Sequence, residues 1–229
     1  MAGVSTPDPL LARLAALDSC ACSDAMDRLG LAGVAHGLRS LTVARPVTGR
    51  VITVVLGPAG SAASSGGRHL GTAAIEAAQP GDVIVVAAGG RVDAAGWGGV
   101  LSLAATMRGV RGVIVDGAYR DVDEGTTLGL PVYALAAVPA TARGRQAEIS
   151  WNTPVQVAGI TVVPGDLVVA DGSGVVFIPA GRAADVIAAA EEIAAKEAAM
   201  ARRLRAGEPA SAVLSADYEQ MLTARRDGP

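Results

Sequence analysis

Charged side chains follow a strongly apolar segment near the middle of this 229-residue chain. The apolar segment is GVIV (112–115), which is typical of a central strand. The four carboxylates and one guanidinium that come next, within nine residues, are Asp116, Arg120, Asp121, Asp123 and Glu124. Ligands of open α/β sheets bind beyond the carboxyl ends of the strands. Carboxylate oxygens bind divalent cations and an arginine fork binds anions, so this segment is either such a site or a solvated acidic loop that caps the next helix.

Two glycines favour the interpretation as a site. Gly98 and Gly99 begin an apolar helix predicted over 98–108, so bare backbone N–H groups at its N-terminus can bind a carboxylate. Gly98 lies 22 residues before Arg120 in a predicted strand-helix-strand unit, and the two features can therefore converge at one sheet edge. Amides, an arginine and a metal-binding aspartate together suit a 2-oxo acid, whose carboxylate and carbonyl oxygens chelate Mg²⁺.

The residue types that are scarce exclude several chemistries. Lys196 is the only lysine and lies in a charged helical stretch, which disfavours Schiff-base catalysis. Cys20 and Cys22 have no zinc-ligand spacing, and His36 and His69 stand apart from each other. A metal would therefore be held mainly by oxygen, which favours Mg²⁺ or Mn²⁺.

Composition also limits the partners and the location. Few aromatic residues (3%), a net charge of -3 and the absence of a basic cluster argue against nucleic-acid binding. Mean hydropathy is +0.40, but glycines and prolines interrupt the longest uncharged run, 125–142, so no membrane-spanning helix is expected. The N-terminal segment lacks the features of a secretory signal. We expect a cytoplasmic protein that buries its excess apolar surface by folding and in subunit contacts.

The order of predicted elements indicates a layered α/β fold. Helices are predicted over 8–17, 23–30 (with Ser23 and Asp24 as caps), 69–78, 98–108 and 182–206. Strands are predicted over 49–56, 83–87, 112–115, 131–136, 154–163, 167–170 and 175–178. The Gly/Ser-rich segment 57–67 lacks the spacing of a phosphate-binding loop and is predicted to be a flexible connection.

One residue of the long C-terminal helix does not fit its apolar face. Glu197 completes an apolar series with 3, 4 spacing that contains Val186, Ala190, Ile193, Met200 and Leu204. A carboxylate in such a stripe is costly unless it is paired. Either the helix has left the core at that turn, or Glu197 belongs to a site or an interface.

The central segment WGGVLSLAATMRGVRGVIVDGAYRD (97–121) resembles the signature of the RraA-like family, which includes class II 4-hydroxy-4-methyl-2-oxoglutarate aldolases that also decarboxylate oxaloacetate. Further similar segments are SDAMDRLG (23–30), AIEAAQPGDVIVV (74–86), LPVYA (130–134) and VVPGDLVVADGSGVVFIP (162–179). The resemblance implies a layered α/β sandwich related to swivelling β/β/α domains. It implies one domain over 1–210, followed by a tail or short helix over 211–229, and assembly into trimers or pairs of trimers.

The resemblance also implies roles for particular residues. Arg120 matches the arginine that binds the pyruvyl carboxylate, and Asp121 matches the aspartate that ligates Mg²⁺ or Mn²⁺. Val100 and Leu101 match residues whose backbone N–H groups hold the substrate. Glu197 matches a carboxylate of a neighbouring subunit that contacts the metal through water.

Gly99 departs from the family pattern. Active aldolases of the family carry an acidic or amide residue 21 positions before the arginine, and that side chain helps arrange water for proton transfer. Its loss puts general acid/base chemistry in question, while the binding of metal and oxo acid is unaffected. Asp93, Asp116 and His69 are the candidate replacements.

Three functions are consistent with these residues. The leading hypothesis is a Mg²⁺- or Mn²⁺-dependent lyase that forms pyruvate from a small 2-oxo acid by retro-aldol cleavage or decarboxylation. A diverged enzyme of a biosynthetic pathway would use the same oxo-acid site with altered proton chemistry. A non-catalytic regulator would bind ribonuclease E.

Overall fold

Runs of valine, isoleucine and alanine produce the strands at the centre of this molecule. The computed structural model describes residues 8–60 and 69–214. Its strands are β1 (Val34–Ala35), β2 (Arg39–Ser40), β3 (Val47–Pro58), β4 (Val83–Trp97), β5 (Gly112–Tyr119), β6 (Val132–Ala137), β7 (Gln146–Trp151), β8 (Val155–Val157), β9 (Ile160–Val162), β10 (Leu167–Ala170) and β11 (Val175–Ile178). Its helices are α1 (Pro9–Leu14), α2 (Ser19–Arg28), α3 (Thr72–Ala77), α4 (Gly99–Arg108), α5 (Val122–Leu128), α6 (Ala183–Arg205) and α7 (Ala210–Val213).

The main sheet is mixed, with a parallel centre. Its strand order is β1-β11-β10-β3-β4-β5-β6-β2, and β7 pairs separately with β3. Strands β3 to β6 are parallel neighbours, whereas β10, β11, β1, β2 and β7 add antiparallel pairs. Two helical crossovers, through α4 and α5, link β4 to β5 and β5 to β6. This arrangement brings the starts of α4 and α5 to the same end of the sheet as the carboxyl end of β5.

Alternation along the parallel strands gives the sheet two apolar faces. On one face, Ile84, Val86 and Val115 pack with Leu101 and other residues of α3 and α4. On the other face lies the β8–β9 hairpin, whose buried valines pack against Val83, Val85 and Ile114. The central strands are therefore buried on both sides, which explains why β5 is apolar throughout its first half.

A second helical layer covers β10 and β11. Helices α1, α2 and α6 bury their apolar faces against Leu167, Val169, Val176 and Ile178. Helix α6 enters this layer through Ile193 and its preceding turns, and its later turns are largely exposed.

Several predicted boundaries are wrong. Helix α2 begins at Ser19 rather than 23, because the side chain of Asp18 caps it by accepting a hydrogen bond from the Ala21 N–H. Strand β5 continues to Tyr119, and the predicted loop after it is helix α5. Strand β4 extends to Trp97, since bulges let it follow β5.

Parts of two predicted segments lie outside the residues that the structure describes. Residues 61–67 of the predicted Gly/Ser connection lie outside them, as do residues 215–229 of the predicted tail. Helix α7 occupies the predicted boundary at 210, and the division into 1–210 and 211–229 stays a prediction. Within 8–60 and 69–214, no helix is both long and apolar enough to cross a membrane.

The carboxylate of Asp171 joins the two layers. Its Oδ2 accepts a hydrogen bond from the Ser19 N–H at 2.7 Å, and Oδ1 accepts from the Ser19 hydroxyl at 2.6 Å and from the Ser173 N–H at 2.9 Å. Burial alone would raise the pKa of Asp171, but these hydrogen bonds outweigh it and hold the pKa below its usual value. The interaction pins the start of α2 to the β10–β11 turn.

We predict that Asp171→Ala lowers the free energy of unfolding at pH 7 by about 1–3 kcal/mol, because it leaves these donors without their acceptor. A lowered folded-state pKa stabilises the fold above the unfolded pKa of about 4, and this contribution is lost as the pH falls through the folded value. The difference from wild type in urea denaturation should therefore shrink at pH 3. Glu76→Ala, at an exposed position of α3, is the control, and an equal difference at both pH values would contradict the prediction.

Candidate functional site

Asp121 lies where β5 ends and α5 begins. Its backbone adopts the left-handed region, with φ of 62°, which is unusual for a residue other than glycine. It occupies the N-cap position of α5, yet its side chain does not cap that helix. Instead, Oδ2 accepts a hydrogen bond from the N–H of Gly99 at 2.9 Å. Asp121 therefore caps the first turn of the other helix, α4.

Arg120 is paired with the same carboxylate oxygen. Its Nε lies 3.1 Å from Asp121 Oδ2, and its side chain is 39% exposed. Its backbone N–H donates to the Trp97 carbonyl, which ties the end of β5 to the end of β4. Within the described part of the chain, its remaining guanidinium nitrogens have no hydrogen-bond acceptor. They are therefore available to a planar anion such as a carboxylate.

Two glycines permit the close approach of Arg120 and Asp121 to α4. A Cβ on Gly98 would lie 3.0 Å from both Arg120 Cγ and Asp121 Oδ2, which is tighter than ordinary packing. A Cβ on Gly99 would lie 3.1 Å from Asp121 Cβ and would overlap Oε2 of Glu124. Glycine at both positions therefore leaves the room in which Arg120, Asp121 and Glu124 lie in this arrangement.

The first turn of α4 supplies backbone donors. The N–H groups of Val100 and Leu101 precede the first intrahelical hydrogen bond, which Ser102 donates to the Gly98 carbonyl. Val100 is 79% exposed and Leu101 is 8% exposed. Among the residues that the structure describes, neither amide has an acceptor, and such amides at the N-terminus of a ten-residue helix favour an anionic ligand.

A buried set of polar groups supports this turn from below. The hydroxyl of Ser102 donates to the Gly98 carbonyl at 3.0 Å and accepts from Trp97 Nε1 at 3.2 Å. It also lies 3.2 Å from the Tyr119 hydroxyl, which donates to the Asp121 carbonyl at 3.3 Å. Burial raises the pKa of Tyr119, and the charges of Asp121 and Glu124 raise it further, so the phenol stays protonated.

Next to this turn is an open cavity of about 520 Å³. Its lining residues are Gly99, Val100, Leu103, Asp123, Glu124, Thr127 and Leu128. Three of these are apolar side chains, and the two carboxylates come from the first turn of α5. A volume of this size suits a small organic ligand.

Other candidate residues from the sequence lie elsewhere. Asp116 is buried within β5, where backbone N–H groups of Ala158 and Gly90 donate to it and burial raises its pKa. Asp93 pairs with Arg91 at 2.6 Å. His69 is exposed, with Nδ1 3.2 Å from the carbonyl oxygen of Leu70. The three candidate replacements for a side chain at residue 99 therefore contact other groups of the protein.

Glu197 also lies away from Asp121 within one chain. It is on α6, where burial raises its pKa and the charges of Asp24 and Asp18 add to the effect. We call these three residues, Asp18, Asp24 and Glu197, the α2–α6 acidic group. The role of Glu197 toward a neighbouring subunit stays a prediction.

The donor set at Asp121 is compatible with a magnesium-type ion. Among residues 8–60 and 69–214, no three His, Cys, Asp or Glu side chains are grouped so that they could hold a metal. Mg²⁺ does not require such a cage, because it is commonly bound through one or two carboxylates, with water and substrate completing its coordination. In the described part of the chain, Asp121 Oδ1 accepts no hydrogen bond, which leaves this oxygen available as a ligand.

The sequence indicates Glu124 as one of the carboxylates after β5, but it does not predict that this side chain lies against Gly99. A signal was present in the spacing Asp121-Val-Asp-Glu124, which places a glutamate three residues after an N-cap aspartate. In a capping box, such a glutamate turns back toward the start of its helix. That direction brings the carboxylate of Glu124 close to Gly99, at the start of α4.

Comparison with known proteins identifies a family to which this chain is similar. The model of the RraA-like family, described as Aldolase/RraA, matches residues 19–177, more than half of the chain. Protein DlpA of Legionella pneumophila is 28% identical over 178 residues, which cover 78% of this chain and 29% of DlpA. The chain thus spans less than a third of that relative. A protein of Halalkalibacterium halodurans, provisionally named 4-hydroxy-4-methyl-2-oxoglutarate aldolase, is 35% identical over 156 residues, which cover 66% of this chain and 71% of the relative.

A solved structure shares the architecture. The crystal structure of Streptomyces coelicolor RraAS2 is described as that of an unusual member of the RNase ES inhibitor RraA protein family. It aligns with a TM-score of 0.79 and 28% identity, and the alignment covers 86% of this chain and 100% of RraAS2. The layered α/β fold predicted from the sequence is confirmed by this similarity.

We predict that Ser102→Ala lowers the free energy of unfolding by about 1–3 kcal/mol, because it leaves the buried Trp97 N–H without its acceptor and removes a partner of the Tyr119 hydroxyl. Thr106→Ala is a matched control at an exposed position of the same helix. Among the described residues, the Thr106 hydroxyl bonds only to the Ser102 carbonyl, so the cost of this variant should stay within about 0.5 kcal/mol. Chemical denaturation of both variants measures the difference. Equal stabilities of the two variants would show that the buried group does not support the site.

Proposed function

The chain belongs to the RraA-like family, and we propose that it is a divalent-metal-dependent lyase that releases pyruvate from small 2-oxo acids. The two reactions in question are retro-aldol cleavage of 4-hydroxy-2-oxo acids and decarboxylation of oxaloacetate. Both break the bond between C3 and C4 and leave the enolate of pyruvate. The provisional name of the Halalkalibacterium relative supports the lyase class.

The observation that carries this proposal is the position of the Asp121 carboxylate. One of its oxygens is held by the Gly99 N–H and by Arg120 Nε, at 2.9 and 3.1 Å. Its other oxygen and the outer guanidinium nitrogens have no partner within the described residues. A carboxylate that can bind a cation and a guanidinium that can bind an anion are therefore fixed side by side. The recognition of a 2-oxo acid that chelates a metal requires such a pair.

We assign the substrate carboxylate to Arg120 and to the free amides of Val100 and Leu101. The guanidinium offers a planar fork, and the amides lie at the positive end of the α4 dipole. Because both groups are fixed before the substrate arrives, they need little reorganisation during the reaction. The apolar side chains of Val100, Leu103 and Leu128 form a wall of the cavity and limit the water around the reacting carbons.

Asp121 is the residue that would hold Mg²⁺ or Mn²⁺. When bound, such an ion acts as a Lewis acid and stabilises negative charge on the 2-oxo oxygen. The hydrogen bond from Gly99 and the pairing with Arg120 orient the carboxylate for this role. The left-handed backbone of Asp121 costs on the order of 1–3 kcal/mol, and the hydrogen bond from the Tyr119 hydroxyl to the Asp121 carbonyl helps to maintain that conformation.

We further propose assembly as a homotrimer or hexamer, with Glu197 of a neighbouring chain approaching Asp121. An apolar stripe on α4 supports an association at this place. Its residues Val100, Leu103 and Met107 are 79%, 47% and 81% exposed and follow helical spacing next to the cavity.

A second candidate function is the regulation of an RNA-degrading enzyme without catalysis. The structural similarity to RraAS2, described as belonging to an RNase ES inhibitor family, favours this alternative. Capture of a ribonuclease E-type protein by the purified chain, together with no pyruvate release by the chain, would support regulation over the lyase.

We predict that wild type releases pyruvate from oxaloacetate and 4-hydroxy-4-methyl-2-oxoglutarate with Mg²⁺ or Mn²⁺, and that Asp121→Asn lowers kcat/KM by about 100-fold or more. The asparagine keeps the size and the backbone tolerance of aspartate but loses the charge that binds the cation. Calorimetry should show weaker Mn²⁺ binding by the same variant.

Arg120→Lys should chiefly raise KM, since a lysine cannot form the two parallel hydrogen bonds of a guanidinium. Glu76→Gln, on the exposed face of α3, serves as the control for both variants and should behave as wild type. Pyruvate release by wild type that does not exceed that of Asp121→Asn would contradict the lyase proposal.

A further inference from the structure

We propose that Glu124 is the proton carrier of this site and that its carboxylate takes the space a side chain on residue 99 would fill. The inference rests on the proposed lyase function and adds to it a catalytic residue that acts on the substrate. It also explains how a chain with glycine at position 99 can carry out proton transfer.

The packing around Gly99 carries the proposal. A Cβ built on Gly99 would overlap Oε2 of Glu124 and would lie 2.9 Å from its Cδ. The carboxyl group of Glu124 therefore sits directly against the α carbon of Gly99, one residue before the amide of Val100. Glycine is the only residue that leaves room for the glutamate in this position.

The first turn of α5 holds Glu124 in place. The N–H of Gly125 donates to the Asp121 carbonyl at 3.1 Å, so the turn that contains Glu124 is closed. Gly125 packs so closely on Tyr119 that a Cβ there would overlap the phenolic oxygen. Helix α5 thus lies tightly over the end of β5, which directs Glu124 toward α4 and into the lining of the cavity.

Other groups near the cavity are less suited to carry a proton. Asp121 Oδ2 is engaged by Gly99 and Arg120, and we assign that carboxylate to the cation. Tyr119 is fully buried. Asp123 lines the cavity, but it is not among the nearest atoms to Gly99. Glu124 is the exposed carboxylate that borders both the cavity and the free amides of α4.

The proposed step conserves atoms and charge. In retro-aldol cleavage, the Glu124 carboxylate takes the proton of the 4-hydroxyl while the C3–C4 bond breaks. C4 becomes the carbonyl carbon of the leaving oxo acid, and the electron pair of the broken bond passes to C3 as the enolate. Glu124 then returns the same proton to C3, which completes the methyl group of pyruvate. In oxaloacetate decarboxylation, CO₂ leaves instead, and Glu124 regains from solvent the proton that it gives to C3.

The test removes the carboxylate from residue 124 and places one on residue 99. Glu124→Gln should lower pyruvate release by about 100-fold or more, the size expected for loss of a positioned acid/base group. The double variant Gly99→Asp with Glu124→Ala should regain at least about tenfold over Glu124→Ala, because alanine vacates the space beside residue 99 and the aspartate restores a carboxylate there. Gly99→Asp alone should not exceed wild type, since two carboxylates would compete for one space. Glu76→Gln is the control.

A second readout separates proton transfer from binding. Exchange of the C3 hydrogens of pyruvate with deuterium from solvent, followed by NMR with Mn²⁺ or Mg²⁺ present, reports the proton step without bond cleavage. Glu124→Gln should lose this exchange while its Mn²⁺ affinity by calorimetry stays within about twofold of wild type. Glu124→Ala alone repeats the exchange measurement should the glutamine variant fold poorly.

The outcomes separate the two proposals. Equal exchange by wild type and Glu124→Gln would overturn the role of Glu124 and leave the lyase intact. Wild type that neither exchanges nor releases pyruvate would overturn the lyase, and the role of Glu124 with it. Loss of exchange together with loss of Mn²⁺ binding would show that Glu124 holds the cation and is not the proton carrier.

Discussion

The hydrogen bond between the Gly99 N–H and the Asp121 carboxylate is the interaction on which the rest of the site depends. It joins the N-terminus of α4 to the end of β5, two parts of the chain that are 22 residues apart. Its formation requires that Asp121 leave its own helix uncapped and adopt a left-handed backbone. Glycine at positions 98 and 99 leaves the room in which the side chains of Arg120, Asp121 and Glu124 lie.

The charged groups around this hydrogen bond determine which ligands the site favours. Two carboxylates, Asp121 and Glu124, and one guanidinium, Arg120, meet at the positive end of the α4 dipole. In the proposed function, a divalent cation would offset the repulsion between the carboxylates, and an anionic substrate would complete the charge balance at the arginine and the amides. The buried hydroxyls of Ser102 and Tyr119 hold the backbone beneath these groups. The backbone is thus firmly held, while the carboxylates of Asp121 and Glu124 stay accessible to solvent.

Much of this arrangement could be predicted from the sequence. The apolar segment that forms β5, the paired glycines before α4 and the Arg120-Asp121 step are all local signals, and their convergence follows from strand-helix-strand topology. The hydrogen bond from Gly99 to Asp121 required a left-handed residue, and no pattern in the sequence predicts that conformation for an aspartate. Asp116 is a carboxylate of the same segment as Asp121, but β5 continues past it. Asp116 is therefore buried, and it accepts hydrogen bonds from the backbone N–H groups of Ala158, in the β8–β9 turn, and of Gly90, in β4. The position of Glu124 depends on the short helix α5, which forms where the sequence predicts an acidic loop. Contacts between distant segments, rather than composition, decided each of these points.

The most direct test of this account is a crystal structure with Mn²⁺ and oxalate, an unreactive mimic of the pyruvate enolate, combined with anomalous scattering at the manganese edge. The account predicts an anomalous peak bound to Asp121, with oxalate on that ion, its outer carboxylate on Arg120 and the amides of Val100 and Leu101, and Glu124 beside it. A peak confined to the α2–α6 acidic group of Asp18, Asp24 and Glu197, or oxalate bound away from Arg120, would contradict it.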